Sequence, residues 1–203
     1  MTWLSVVLSS TLAGWTLDVP KTELVVKVWK TGAAASLAHD HVIRASVVRG
    51  DASLDDEGRP ESLTLSLTVD VASLVPDEPQ TRQRHHVAGA AVPEGDRQKV
   101  KEHMLSDEQL DAAKFPTIGF VVKQVTRDAR GELQCTGTLT LHGVKRELTF
   151  PITVTTTDTR REGDARVMIK TSDFGVPPYS TALGMVRNKD EVELVLHVSV
   201  VKS

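Results

Sequence analysis

Cysteine is nearly missing from this sequence. Among 203 residues only Cys135 is present, which excludes an intrachain disulfide framework and any multi-cysteine zinc or iron–sulfur site. Aromatic residues are scarce, at 4%, so a platform of rings for stacking bases or sugars is not encoded. Trp3, Trp15 and Trp29 are too scattered to form a cage. An excess of one charge is missing as well: 24 Lys and Arg stand against 27 Asp and Glu, a net −3. Nucleic-acid binding needs a concentrated basic surface, and none is implied. No run approaches about 18 apolar residues, so no transmembrane segment is expected. G-x-S-x-G, Walker, H-E-x-x-H and dinucleotide fingerprints are all absent, and Asp173-Phe174-Gly175 stands without the rest of a kinase.

What is present is a chain rich in Val, Thr and Leu, with 25% charged and 40% hydrophobic residues. That is a folded composition, and the length suits one domain. Several windows alternate with a period of two, the mark of a strand with one buried face. Ser62–Val71 puts Leu63, Leu65, Leu67, Val69 and Val71 on one side. Leu133–His142 puts Leu133, Cys135, Leu139 and Leu141 together, which favours a buried, inert thiol. After a turn at Gly143 the pattern resumes at Leu148, Phe150, Ile152 and Val154; Gly137 and Pro151 suit bends or an edge. Val192, Leu194, Leu196, Val198 and Val200 alternate near the C-terminus. Leu24–Trp29, Val42–Arg49, Thr117–Val125 and Ala165–Thr171 are further strand candidates.

Turn residues at Asp55–Gly58, Asp128–Gly131 and Arg161–Asp164 separate these runs. Seven or eight strands with hairpin-length links point to antiparallel pairing, because a parallel sheet would need helical crossovers. One region, Pro76–Phe115, breaks the rhythm. Glu94–Met104 reads as a helix, and Ser106 offers an N-cap for a shorter one through Ala113. The apolar segment Met1–Gly14 fits a secretory leader or an N-terminal strand: Leu12-Ala13-Gly14 resembles a cleavage site, but no basic residue precedes the run. A leader would place the protein in the periplasm or outside the cell; without one it would be cytoplasmic.

Read in order, local patterns resemble the YceI-like, polyisoprenoid-binding family. They are GWTLDVPKTELVVKV at the start, LDAAKFPTIGF from Leu110 to Phe120, and GTLTLHGVKRELTFPITV from Gly137 to Val154. SDFGVPP (Ser172–Pro178) and DEVELVLHVSV (Asp190–Val200) complete the series. The resemblance covers roughly residues 14–201. It implies a mainly β protein: an eight-stranded, antiparallel, lipocalin-like β-barrel with a short helical insertion between strands. It implies binding or carriage of a polyisoprenoid or other lipid, without catalysis. Two segments depart from the family pattern: TRQRHHVAGA (Thr81–Ala90), where an acidic R-D element is usual, and SLAHDHVI (Ser36–Ile43) with its extra histidines.

On that reading the chain-lining residues are Leu63, Leu65, Leu67, Phe120, Leu139, Leu141, Phe150, Ile152, Leu194 and Leu196. Arg82, Arg84, His85 and His86 are candidates for a polar mouth holding a headgroup; a solvated basic loop is the alternative. No cofactor is expected beyond a bound polyisoprenoid or lipid. The partner is an apolar-chain small molecule, with the oligomeric state open and a dimer one option. Two other readings remain. His39 and His41, at i and i+2, could share a divalent metal if His85, His86 or His103 supplied a third ligand. Alternatively the aliphatics pack on each other as a solid core, giving a structural or interaction domain.

Overall fold

A computed structural model describes residues Gly14–Ser203. The leader-or-strand segment therefore lies outside the described residues, except for Gly14. In chain order the elements are β1 (Trp15–Leu17), β2 (Glu23–Thr31), β3 (His41–Ala45), β4 (Val48–Ser53), β5 (Thr64–Asp70) and β6 (Leu74–Pro76). Helices α1 (Pro79–Arg84) and α2 (Glu94–Leu105) follow, then β7 (Thr117–Arg127), β8 (Leu133–Leu141), β9 (Val144–Thr156), β10 (Arg160–Lys170), β11 (Ser180–Thr181) and β12 (Val186–Lys202). Proline opens α1, where a missing N–H costs nothing. Acidic Glu94 and Asp96 in the first turn of α2 suit its positive end.

The protein is mainly β, and every strand pair is antiparallel. The eight-stranded barrel expected from the sequence is corrected to a twelve-stranded sheet that curls into an open half-barrel. Its path runs β4-β5-β7-β8-β9-β10-β12-β2-β3-β6, with β1 and β11 added to β12. Two of the four extra strands are the short β1 and β11; the other two arise at a corner. The run read as Val42–Arg49 breaks at Ser46–Val47 into β3 and β4, and the facing stretch breaks at Val71–Ser73 into β5 and β6. Hydroxyls take over from the ladder there: Ser46 Oγ donates to the Ser73 carbonyl (2.6 Å), and Val47 N donates to Ser73 Oγ (3.2 Å).

Two smaller expectations are also corrected. Arg161–Asp164, read as a turn, belongs to β10 and pairs with both β9 and β12. The second short helix after Ser106 is a series of turns, whereas α1 was not foreseen. Gly137 lies within β8 where its ladder with β7 slips register between Val122 and Gln124; a Cβ there would overlap the Phe120 ring, so its bareness makes room for that ring. Two positive-φ residues, His142 (φ 50) and Gly143 (φ 74), make the tight β8–β9 hairpin.

Alternation survives folding. Along β8, odd positions from Leu133 to Leu141 are buried and even ones are not. Strands β9 and β10 pair only over Thr153–Thr156 and Arg161–Asp164, then diverge. Pro151, with no N–H to donate, stands just past the end of that ladder. Phe174, 1% exposed, packs beside this divergence with Val167, Ile169 and Phe150.

Candidate functional site

Inward aliphatics of the curled sheet surround a cavity of about 450 Å³. It is therefore not a solid core. Cross-strand neighbours build its wall in rows: Val192, Leu194 and Leu196 of β12 stand opposite Val28, Val26 and Leu24 of β2. On the other side the same residues meet Ile169, Val167 and Ala165 of β10. Lining positions on β12 recur at every second residue from Val192 to Val200, about 26 Å at 3.3 Å per residue. The chamber is thus long and narrow.

Every sequence-predicted lining residue faces this cavity: Leu63, Leu65, Leu67, Phe120, Leu139, Leu141, Phe150, Ile152, Leu194 and Leu196. The structure adds valines, Val122 and Val154 on the same strands and Val26 and Val167 on β2 and β10. Their alternation carries the same signal as the leucines. Cys135 is also on the wall, 4% exposed. Burial alone pushes its thiol up to about 11, so at neutral pH it is a small apolar surface and no nucleophile.

The two ends differ. At one, Trp15 is buried with the Arg161 guanidinium 4.4 Å from its ring centroid, and Arg161 Nε donates to the Gly58 carbonyl (2.8 Å). A Cβ on Gly58 would overlap the indole, so glycine lets this loop close over Trp15. At the other end α2 contributes Lys99, Val100, His103 and Met104 to the lining. The His103 ring meets Tyr179 edge-on at 4.5 Å, the Tyr179 carbonyl accepts from Asn188 N (2.9 Å), and Gln109 Nε2 donates to the Pro177 carbonyl (3.2 Å). Lys189 completes this more polar mouth. Sequence reading missed Lys99, Tyr179 and Lys189 because only the packing of α2 on the barrel end brings them together.

The proposed mouth cluster is elsewhere. Arg82, Arg84, His85 and His86 do not line the main cavity. Arg82 is buried: Nη1 donates to Asp77 Oδ1 (2.7 Å) and the Asp40 carbonyl (2.7 Å), and Nη2 donates to the Ala88 carbonyl (2.9 Å). Those three bonds engage it as a structural cation. Arg84 Nη1 donates to Glu23 Oε1 (2.6 Å), with His85 Nε2 3.5 Å from the other oxygen. His85 and His86 border a separate space of about 240 Å³, with Lys27, Trp29 and Asp40.

The histidine pair also parts. His39 is exposed and precedes the strand, whereas His41 opens β3. Nδ1–H of His41 donates to Asp77 Oδ2 (2.6 Å), and Asp77 is 0% exposed. Burial would raise the Asp77 carboxyl, but His41, the Val42 N–H and Arg82 together outweigh that and hold it below the usual carboxylate range. Among the described residues no three His, Cys, Asp or Glu side chains converge as a metal site, and no helix is long and apolar enough to cross a membrane. What the geometry offers chemically is enclosure of an extended apolar molecule.

Comparisons with known proteins agree with this architecture. The sequence matches the YceI-like domain over residues 15–200. No curated protein matches it. Among solved structures, Burkholderia cenocepacia BcnA aligns with a TM-score of 0.64 at 19% identity, covering 90% of this chain and 98% of that one. A polyisoprenoid binding domain from Saccharophagus degradans, implicated in plant cell wall breakdown, aligns with a TM-score of 0.57 at 13% identity, covering 94% and 99%. The Campylobacter jejuni YCEI protein gives 0.56 at 18%, covering 79% and 84%. At these identities the likeness is one of fold.

Proposed function

Since the chain belongs to the YceI-like domain family, we propose that it binds a single apolar-chain ligand, a polyisoprenoid or comparable lipid, and carries or stores it without catalysis. The observation that carries this reading is the shape and chemistry of the cavity: long, narrow, and walled almost wholly by aliphatics. Burying a chain there contributes roughly 25 cal/mol for each Å² of apolar surface removed from water. Walls of Val and Leu offer no directional contacts, so chain length and fit at the mouth set selectivity. The Saccharophagus degradans domain, described as polyisoprenoid binding, supports the ligand class. Residence in the periplasm or outside the cell is part of the proposal and rests on the leader-like Met1–Gly14 segment.

Native mass spectrometry and organic extraction of the purified protein test it. A bound long-chain lipid is expected, at one per protein. Protein that repeatedly emerges empty and takes up no long-chain alcohol on incubation would sink the idea.

A further inference from the structure

Two stretches without charge meet beside the mouth. From Thr31 to Ala38 the sequence is TGAAASLA, and from Gly175 to Val186 it is GVPPYSTALGMV. They touch: Ala34 N donates to the Met185 carbonyl (2.9 Å), and a Cβ on Gly32 would overlap that same carbonyl. The second stretch is tied to the cavity, because Pro177, Pro178 and Tyr179 line it.

Leu183 is the anomaly. It is fully exposed, while its backbone stands at φ +55. A bulky residue in the left-handed region is strained, and an exposed leucine gains nothing in water. Met185, two residues on, is half exposed. Arg187 and Lys189 are the first charges after the tip on β12, ahead of Asp190 and Glu191; Lys30 precedes the other stretch, its ammonium donating to the Ala38 carbonyl (2.7 Å), while Asp40 and Asp173 stand at the ends of the two stretches away from the tip. An apolar tip with cations a few residues behind it is complementary to an anionic bilayer: the tip reaches the acyl region while the cations meet phosphates.

We propose that this rim docks on an anionic lipid bilayer, with Leu183 and Met185 entering it, so that the cavity mouth opens against the membrane. This rests on the reading of the cavity as a site for an apolar chain, since such a chain dissolves in a bilayer and not in water. Transfer then needs no passage of the chain through solvent.

Sedimentation with vesicles tests it, using phosphatidylcholine alone and phosphatidylcholine mixed with phosphatidylglycerol. The full chain is expected to sediment with the mixed vesicles, less as salt rises. The Leu183→Ser/Met185→Ser variant is expected to bind them about tenfold more weakly or worse, while holding a preloaded pyrene-labelled long-chain alcohol as well as the parent does. Parent protein that stays in the supernatant at low salt overturns the proposal, as does a double variant that binds equally. A parent dimer that the double variant dissociates, with no vesicle binding, overturns it in favour of a second copy. Vesicle binding by the parent, lost in the variant, with no retention of the alcohol by either supports docking and removes the cavity reading instead.

Discussion

Arg82 Nη1 and Asp77 Oδ1 lie 2.7 Å apart, with both side chains withdrawn from water. The same carboxylate accepts from the Val42 N–H (3.1 Å) and from His41. One buried anion thus ties α1 to β3 just where the chain leaves β6, at a residue with φ +53. Removing the cation leaves that buried anion short of one charged hydrogen-bond donor, with only His41 and the Val42 N–H to hold it. Arg82→Ala is expected to cost about 3–5 kcal/mol, read from urea denaturation at neutral pH. Arg84→Ala, at an exposed ion pair, should cost less than about 1 kcal/mol.

Acid should act through the same carboxyl. Its folded pKa is depressed, so the unfolded chain takes up the proton first, near its ordinary value of about 3.9. The stability it contributes is full above that pH and is lost as pH falls through the folded value. Asp77→Asn should flatten the acid limb of a plot of stability against pH; an unchanged limb would show that other carboxylates dominate.

His85 works at milder pH. Burial pushes its pKa below the usual histidine value, with Glu23 opposing. Below about pH 6.5 the unfolded chain binds a proton that the folded form resists, so stability falls as pH drops toward the folded value. Thermal melts between about pH 7 and pH 5 should show this loss, and His85→Gln should reduce it.

Ala165 is a small residue on the cavity wall, opposite Leu196. Ala165→Phe would project a ring into free space, so the melting temperature should hold. If the ring displaces two or three methylene groups of a bound chain, affinity for a long-chain alcohol should drop by about 2 kcal/mol, roughly thirtyfold. Fluorescence titration measures both directions of this prediction, since unchanged affinity would place the ligand elsewhere.

Cys135, its thiol raised to about 11 and buried, should react with a disulfide reagent such as dithiobis-nitrobenzoate only on unfolding. A fast reaction in the native state would show that the reagent enters the cavity and reaches its wall.

The strands and their inward faces were legible because a period of two is a local property. Leu65, Leu67, Leu139 and Leu141 could be assigned to one side from their neighbours alone. The arrangement at the ends was not legible in this way. Arg82 reads as a mouth cation in TRQRHH, and only the turn at Asp77 brings a buried carboxylate against it. His103 and Tyr179 meet through packing of elements distant in sequence. The corner at Ser46 and Ser73 was hidden too, because serine hydroxyls replacing ladder bonds leave the hydrophobic alternation on either side unaltered.

Strand β12 carries more of the sheet than any other, holding β10 along one edge and β2 along the other, with β1 and β11 attached. Its partner Val25 is made early in synthesis and Val195 late. The first strands therefore emerge from the ribosome long before the neighbour that seats them, and their apolar faces must wait unpaired. Completion of the sheet is deferred until the region beyond residue 190 is available, which makes this a fold of high contact order and slow, late assembly. During that interval the nascent chain exposes the row of β2 that later lines the cavity, Leu24, Val26 and Val28, until β12 arrives to pair with it.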